Sequence, residues 1–408
     1  SFALASADLS GEVLPADIST GRIELDLTDQ PAGFEGKLSI PRVLISDTHD
    51  DPAYQPLVIN VDGKVSEGRL RFDGPILLQR TDTEIASLSL DLELISLTGT
   101  ARIDTGELRF APGGLQPTQL SDRLRGAFTS AAGVLEADAL IEIDPSGLSG
   151  SGHVRAANFG FQTAALGRVA GINGEVVFDQ LFGLSTPSGQ VVTIGSVDPG
   201  LPLSDGVLRF QLVEGREARL ERATWPFAGG RLVVEPTAWT IGEERRTMTV
   251  RAEAIDLAAL GEALASEDLQ IQGTVSGVFP LVLEAGSAFV RNARFLADET
   301  GGVVRYTGAA GEQAGGANEN VALAFDALKN FQYTVLELGA DGDLNGEIIL
   351  TVKMTGKNPE VLSGAPFAFN VSVDSRLGEL LQSSRNLSSS DWLADVVAEQ
   401  LRERDEQP

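Results

Sequence analysis

The sequence predicts a mainly β chain with a few short helices and a helix at its C-terminus. Three observations carry that prediction. Apolar and polar residues alternate with period two in run after run, the pattern of strands with one covered face. Gly, Pro, Asn and Asp cluster between the runs at the spacing of consecutive antiparallel strands. Hydrophobic residues make up 42% of the chain but aromatics only 6%, with 45 glycines and 18 prolines, which suits many strands and turns better than a few dense cores.

In chain order, Ile23, Leu25 and Leu27 alternate with Glu24 and Asp26. Leu88, Leu90, Leu92 and Leu94 alternate with Ser89, Asp91 and Glu93. The rhythm returns at Leu135–Ala137–Ala139–Ile141–Ile143, at Leu208–Phe210–Leu212 and at Ile348–Leu350–Val352–Met354. Phe367, Phe369, Val371 and Val373 then alternate with Ala368, Asn370, Ser372 and Asp374. Turns are expected at Asp73–Gly74–Pro75, Pro112–Gly113–Gly114, Asp144–Pro145–Ser146–Gly147 and Asp341–Gly342–Asp343, and where Gly356, Asn358 and Pro359 cluster.

Helical spacing is sparse. Leu257, Leu260 and Leu264 suit a short helix behind Asp256, and another turn or two fits around Ala327, Leu328 and Phe331. Leu377, Leu380 and Leu381 give a brief helical pattern. The terminal segment is clearer: Ser388 and Asp391 fit a capping box, and Trp392, Leu393, Val396, Val397 and Leu401 form one apolar stripe. That stripe either docks on the end of the sheet or meets a membrane interface or partner; Trp392 suits the second use, and the acidic flank does not.

No strict repeat period stands out, which disfavours a propeller or a regular β-helix. Two architectures remain open on the residues: stacked β-sandwiches, or one continuous, strongly curved antiparallel sheet. About 25 to 30 strands paired in order at ~4.8 Å each would run on the order of 120–140 Å. A flat sheet of that length with an exposed apolar face is unstable, so it must curl, double over or bind something apolar.

At 408 residues the chain is long enough for two or three globular domains. Its net charge of −27 and pI near 4.4 argue against nucleic acid, which needs clustered Lys and Arg. The longest basic run is the Arg245–Arg246 pair, too short for a polybasic membrane patch. There are no cysteines, which removes disulfides, thiolate catalysis and cysteine zinc sites. No run of about 18 apolar residues is present to cross a bilayer as a helix. The chain opens at Ser1 without a methionine or signal peptide, so it reads as part of something longer.

Chemistry-bearing motifs are weak. His49 lies in SDTHDD with Asp47, Asp50 and Asp51, a set that offers nitrogen and oxygen ligands but reads more simply as a solvated loop. His153 reads as a strand surface residue rather than part of a Ser–His–Asp triad. Asp341 to Glu347, DGDLNGE, imitates the start of an EF-hand loop, but the twelfth position is Val352 instead of a bidentate glutamate. A tight hairpin turn explains the same residues. Walker A, Gly-x-Ser-x-Gly and Gly-x-Gly-x-x-Gly sequences are missing, and with 58 acidic residues carboxylate proximity nominates no glycosidase pair. The sequence therefore favours a protein that is not an enzyme, with no cofactor and no metal.

Five stretches carry a family likeness in a fixed order: SVDPGLPLSDGVLRFQL (Ser196–Leu212), ATWPFAGGRLVVEP (Ala223–Pro236), GGVVRYTG (Gly301–Gly308), ALKNFQYTVLELGADGDLNGEIIL (Ala327–Leu350) and GKNPEVLSGAPFAFNVSV (Gly356–Val373). From about Ile172 onward the chain resembles the C-terminal region of the YdbH family, whose members are AsmA-like. Upstream, GKLSIPRVLI and RLRFDGPILLQ agree with it only generally. The resemblance implies a long curled antiparallel β-sheet, a taco-like β-groove that conducts phospholipid acyl chains between inner and outer membranes. It divides the chain into a strand-rich groove segment (1–171), a YdbH-like C-terminal β domain (172–385) and an amphipathic helix with a polar tail (386–408).

It also implies a Gram-negative periplasmic location, with the expected inner-membrane anchor missing here, and a small outer-membrane lipoprotein adding strands at the C-terminal edge. A dicarboxylate-transport label attached to the same region fits poorly, because a permease needs membrane-spanning helices. The residues expected to line the groove are Leu208, Phe210, Leu212, Leu232, Val234, Ile348, Leu350, Val352, Phe367, Phe369, Val371 and Val373. The alternative is that they fill a closed sandwich core, or that the chain is a structural scaffold recruiting the lipoprotein.

Overall fold

The computed structural model describes residues 2–4, 7–10, 16–30, 33–48, 50, 52, 54–124, 129–198, 202–263, 269–299, 301–308, 319–344 and 346–376. Of these, 71% are strand and 7% helix, so helices can only decorate the molecule. The strands form one large antiparallel sheet that does not close into a barrel. Two compact units divide the chain. The first holds Ser1–Thr163, Arg168–Ile194 and Arg209–Arg219, and the second holds Ala164–Gly167, Gly195–Leu208 and Leu220–Pro408.

In the first unit β1 (Phe2–Leu4) pairs with β4 (Ile23–Gln30), and β2 (Ala7–Ser10) pairs with β3 (Ala16–Thr20). Both β3 and β4 pair with the long β5 (Gly33–Asp47). A ladder then runs in chain order through β6 (Leu57–Ser66), β7 (Arg69–Leu78), β8 (Glu84–Glu93), β9 (Thr98–Phe110), β10 (Thr129–Asp144) and β11 (Gly147–Thr163). The one-turn helix α1 (Pro117–Leu120) lies between β9 and β10.

Alternation sorts this ladder into two faces. Phe72, Leu90, Ala101 and Ile141 follow one another across four strands, while the adjacent row reads Lys64, Arg71, Asp91, Thr100 and Glu142. Val43, Ile59, Phe72, Ile76 and Ala86 form the buried centre of the apolar side. On the charged side Asp91 accepts from both Arg69 and Arg71, at 2.7 and 3.2 Å. His153 sits opposite Asp138 with Nδ1 3.2 Å from the carboxylate, on the surface as expected.

Next in the chain come β12 (Gly167–Phe178), β13 (Gln190–Val197) and β14 (Leu203–Val213). β15 (Glu217–Phe227), in the second unit from Leu220 onward, pairs with β16 (Gly230–Val234) and with β17 (Thr237–Thr240). From β16 the order continues through β18 (Arg245–Asp256), β20 (Thr274–Glu284), β21 (Ser287–Ala297), β23 (Phe331–Asp343), β24 (Glu347–Lys357) and β25 (Pro366–Arg376). The short β19 (Leu269–Ile271) pairs with β22 (Gly302–Tyr306), which in turn pairs with the first residues of β23.

Helix α2 (Leu257–Ala263) follows Asp256 as the sequence indicates, and Asp256 Oδ1 accepts the backbone N–H of Ala258 at 2.7 Å. Helix α3 (Glu319–Leu328) precedes β23; Phe331, expected to extend it, opens the strand instead. The expected helices at Leu377–Leu381 and at Ser388–Leu401 lie outside the described residues, as does His49.

Two expected turns are displaced. Asp73, Gly74 and Pro75 lie inside β7, where the β6–β7 ladder is interrupted between the pairs Ile59–Ile76 and Lys64–Arg71. An interruption of that kind tolerates a residue without an N–H. Gly74 leaves room for the Phe72 ring, whose atoms would lie 2.6 Å from a Cβ at this position. Asp341–Gly342–Asp343 ends β23, and the turn falls just beyond it. At Asp144–Gly147 the hairpin turn forms as read, with Asp144 accepting the Ser146 N–H at 2.7 Å.

Bulges recur with one chemistry. Arg42, Asn158, Ala254 and Asn292 have φ of 68°, 48°, 51° and 46° at or beside shifts in strand register. Each freed N–H is capped by a side chain on the neighbouring strand: Asn60 at 3.0 Å, Asn173 at 2.8 Å, Ser276 at 2.9 Å and Asp341 at 2.7 Å. Each bulge also resets the alternation. Ala252 and Ile255 share a face although three residues apart, as do Val290 and Ala293.

Candidate functional site

Strand register in the second unit builds an uninterrupted row. Trp225 lies opposite Leu232, and the row continues through Ala252, Gly277, Phe295, Leu338 and Val352 to Val371 on β25. All belong to one face, because Cα partners in a ladder point the same way. The neighbouring row on the other face is different: Val233, Arg251, Val278, Arg294, Gly339, Thr351 and Ser372. That outer face carries ion pairs, among them Arg294 with Glu337 at 2.7 Å and Arg251 with Glu235 at 2.7 Å. The Arg294 guanidinium holds Glu337 below the usual carboxylate range.

The apolar face has two regions. Toward the end of β18 it is covered by helices. Leu257 of α2 and Phe325 and Leu328 of α3 are buried against Val304, Phe331, Tyr333 and Met354, with Phe367 and Phe369 packed beside them. Phe331 meets Phe369 edge-on at 5.1 Å between centroids, and the Phe367 and Phe369 rings stack at 6.2 Å. Tyr333 donates to the Gln272 carbonyl at 2.7 Å, and burial pushes its phenol pKa up. Its hydroxyl fits because residues 273 and 302 are glycines; a Cβ at either would stand 2.3 Å from it.

The other region contains strand and turn residues only: Ala223, Val234, Val250, Phe279, Val290 and Ala293, flanked by Trp225, Trp239, Met248 and Leu281. Ala223, Val250 and Ala293 are 1%, 5% and 4% exposed, covered by the larger side chains packed around them. The face offers hydrophobic burial, which is non-directional. Among the described residues, no group of three or more His, Asp or Glu is placed to hold a metal ion.

A family model described as YdbH-like, intermembrane phospholipid transport protein YdbH, matches residues 4–400. The chain belongs to the YdbH-like family. The match takes in the N-terminal half, where the sequence motifs agreed only generally. Neither a curated protein nor a solved structure matches. The family is one of intermembrane phospholipid transport, and a large open β-sheet suits it. Among the described residues no helix is long and apolar enough to cross a membrane.

In this YdbH-like chain, Leu232, Val234, Ile348, Leu350, Val352, Phe367, Phe369 and Val371 share the one face by register. The backbone of Val373 pairs with Leu350; its side chain lies outside the described set. Leu208 packs against the helix-free region, whereas Phe210 and Leu212, half-buried on the same strand, fall in the first unit. Sequence reasoning passed over Trp225, Met248, Phe279, Leu281, Phe295, Leu336 and Leu338. Met248, Val250 and Ala252 do alternate visibly in TMTVRA. Val290 and Ala293 were hidden by the bulge between them.

Proposed function

We propose that this chain carries phospholipids between the inner and outer membranes without chemistry, its apolar face holding acyl chains. The supporting observation is the row from Trp225 to Val371, apolar or glycine at every strand it crosses. An acyl methylene leaving water gains about 0.8 kcal/mol, but one leaving a bilayer for this face gains almost nothing. A lipid therefore meets a nearly level path and slides instead of sticking. The reading locates the chain in the Gram-negative periplasm, tethered to the inner membrane, with the twelve residues named from the sequence among its lining.

A photo-crosslinker at Leu350 or Phe210 should capture phospholipid in cells, and one at Thr351, on the opposite face from Leu350, should not. Recovery of no lipid from any position along the apolar face would sink the proposal. Leu350→Asp should abolish transport.

A second reading rests on β25, which among the described strands is joined by register to β24 alone. Its other edge suits an outer-membrane lipoprotein that adds a strand. Leu350→Asp separates the two roles, because the lipoprotein should still co-purify with the variant if the edge, and not the face, recruits it.

A further inference from the structure

Arg246 stands on the wrong face for an arginine. Its backbone pairs with Leu283, which pairs with Ala288, and it shares a side of β18 with Met248 and Val250. Its neighbour Arg245 faces the other way and lies 3.7 Å from Glu284. Two buried side-chain nitrogens lack a hydrogen-bond partner among the described residues, Arg246 Nε and Trp225 Nε1. Both belong to the apolar face. The guanidinium lies 5.9 Å from the Trp239 ring centroid, a contact that orients a cation without satisfying its donors. A buried Nε–H without an acceptor costs free energy, and an anion at the half-exposed guanidinium would supply that acceptor.

Position identifies the anion. Arg246 is the second residue of β18, while α2 follows the strand's last residue and covers that end of the face. From Arg246 to Ile255 the strand spans roughly 30 Å at ~3.3 Å per residue, against ~15 Å for one leaflet's acyl layer, half the hydrocarbon core. An amphiphile can thus lie along the strands with its tails toward the helices and its polar end at the arginine. We propose that Arg246 binds the phosphate of a phospholipid headgroup at the rim of the apolar face. This rests on the lipid-carrying reading above and adds a polar station to it. A guanidinium fork matches phosphate oxygens two at a time.

The test incubates the purified full chain with vesicles containing phosphatidylglycerol and diacylglycerol of the same acyl composition, then measures retained lipid by mass spectrometry. The wild type should retain the phospholipid preferentially. Arg246→Gln should cut phospholipid retention about tenfold, the loss of one charge-assisted contact, and leave diacylglycerol unchanged. Arg246→Lys should fall between them, and Arg245→Gln should match the wild type. Arg246→Met should melt at or above the wild-type temperature, because an unpaired charge has left an apolar face. A lower melting temperature would instead make Arg246 structural and overturn the proposal. Unchanged phospholipid retention in Arg246→Gln overturns the headgroup station while leaving the tail-binding face intact. If millimolar inorganic phosphate displaces the phospholipid, the site is one for free phosphate and the proposal fails. Failure of the wild type to retain either lipid removes the reading beneath it.

Discussion

Asp341 lies at the start of the stretch that imitates a calcium loop, and its neighbours give it a different task. At Asn292 the backbone turns to φ 46°, which frees an N–H from the ladder, and Asp341 Oδ2 accepts it at 2.7 Å. The other oxygen lies 3.7 Å from Arg291 Nη1. A carboxylate holding a bulge and an arginine has no need of a metal. Asp341→Ala should lower unfolding stability by about 0.5–1.5 kcal/mol, the usual net value of one such bond, read as a shift of the urea midpoint. Asp341→Asn keeps the acceptor and should recover most of the loss, and millimolar calcium should leave the wild-type melt where it is. Asn60, Asn173 and Ser276 do the same work elsewhere. None of these partners is visible in sequence, because each sits fifteen or more residues from the amide it caps and is defined only by register.

Elements show where reading the sequence works and where it stops. Period-two runs, the Asp144–Gly147 turn and the Asp256 cap depend on neighbours in the chain, and all were legible. A bulge inserts one residue and inverts the phase, so Val290 and Ala293 do not look like one face until β20 and β23 are beside them. Pro75 reads as a turn because the gap in the β6–β7 ladder that accommodates it belongs to another strand. Asn358 has the same double character. It was legible as a turn residue, and Glu360 N–H does bond to its Oδ1 at 3.0 Å. Its amide also donates to the Asp326 and Ala327 carbonyls at 3.0 and 3.2 Å, fastening the C-terminal end of α3 from inside the fold, where Asn358 is 2% exposed. Removing a buried partner of two carbonyls costs about 1–3 kcal/mol. Asn358→Ala should therefore accelerate hydrogen exchange in α3 well before it does so in β24. Equal acceleration in both would mean that Asn358 supports the sheet and not the helix.

For the whole molecule, the pattern of strands and turns left both stacked sandwiches and one continuous sheet open, and the strands pair into one large antiparallel sheet. One property was fixed by composition throughout: the net charge of −27. The ion pairs of the outer face neutralise many of the chain's 31 basic groups locally, and the 58 acidic groups outnumber them. A protein so charged is repelled by any anionic surface within a Debye length, ~30 Å at 0.01 M salt but only ~8 Å at 0.15 M. If the chain carries lipid on its apolar face as proposed, uptake requires closer approach than that, so repulsion acts on the encounter and not on the burial that follows. Phospholipid uptake from vesicles rich in phosphatidylglycerol should therefore quicken about tenfold between those salt concentrations, at the low end of electrostatic effects on association rates. Uptake from purely zwitterionic vesicles should hardly change, because the hydrophobic step is insensitive to modest salt. A time course of retained lipid with both vesicle types checks this. Equal salt dependence for the two would place the slow step after contact, in the entry of the chains onto the face itself.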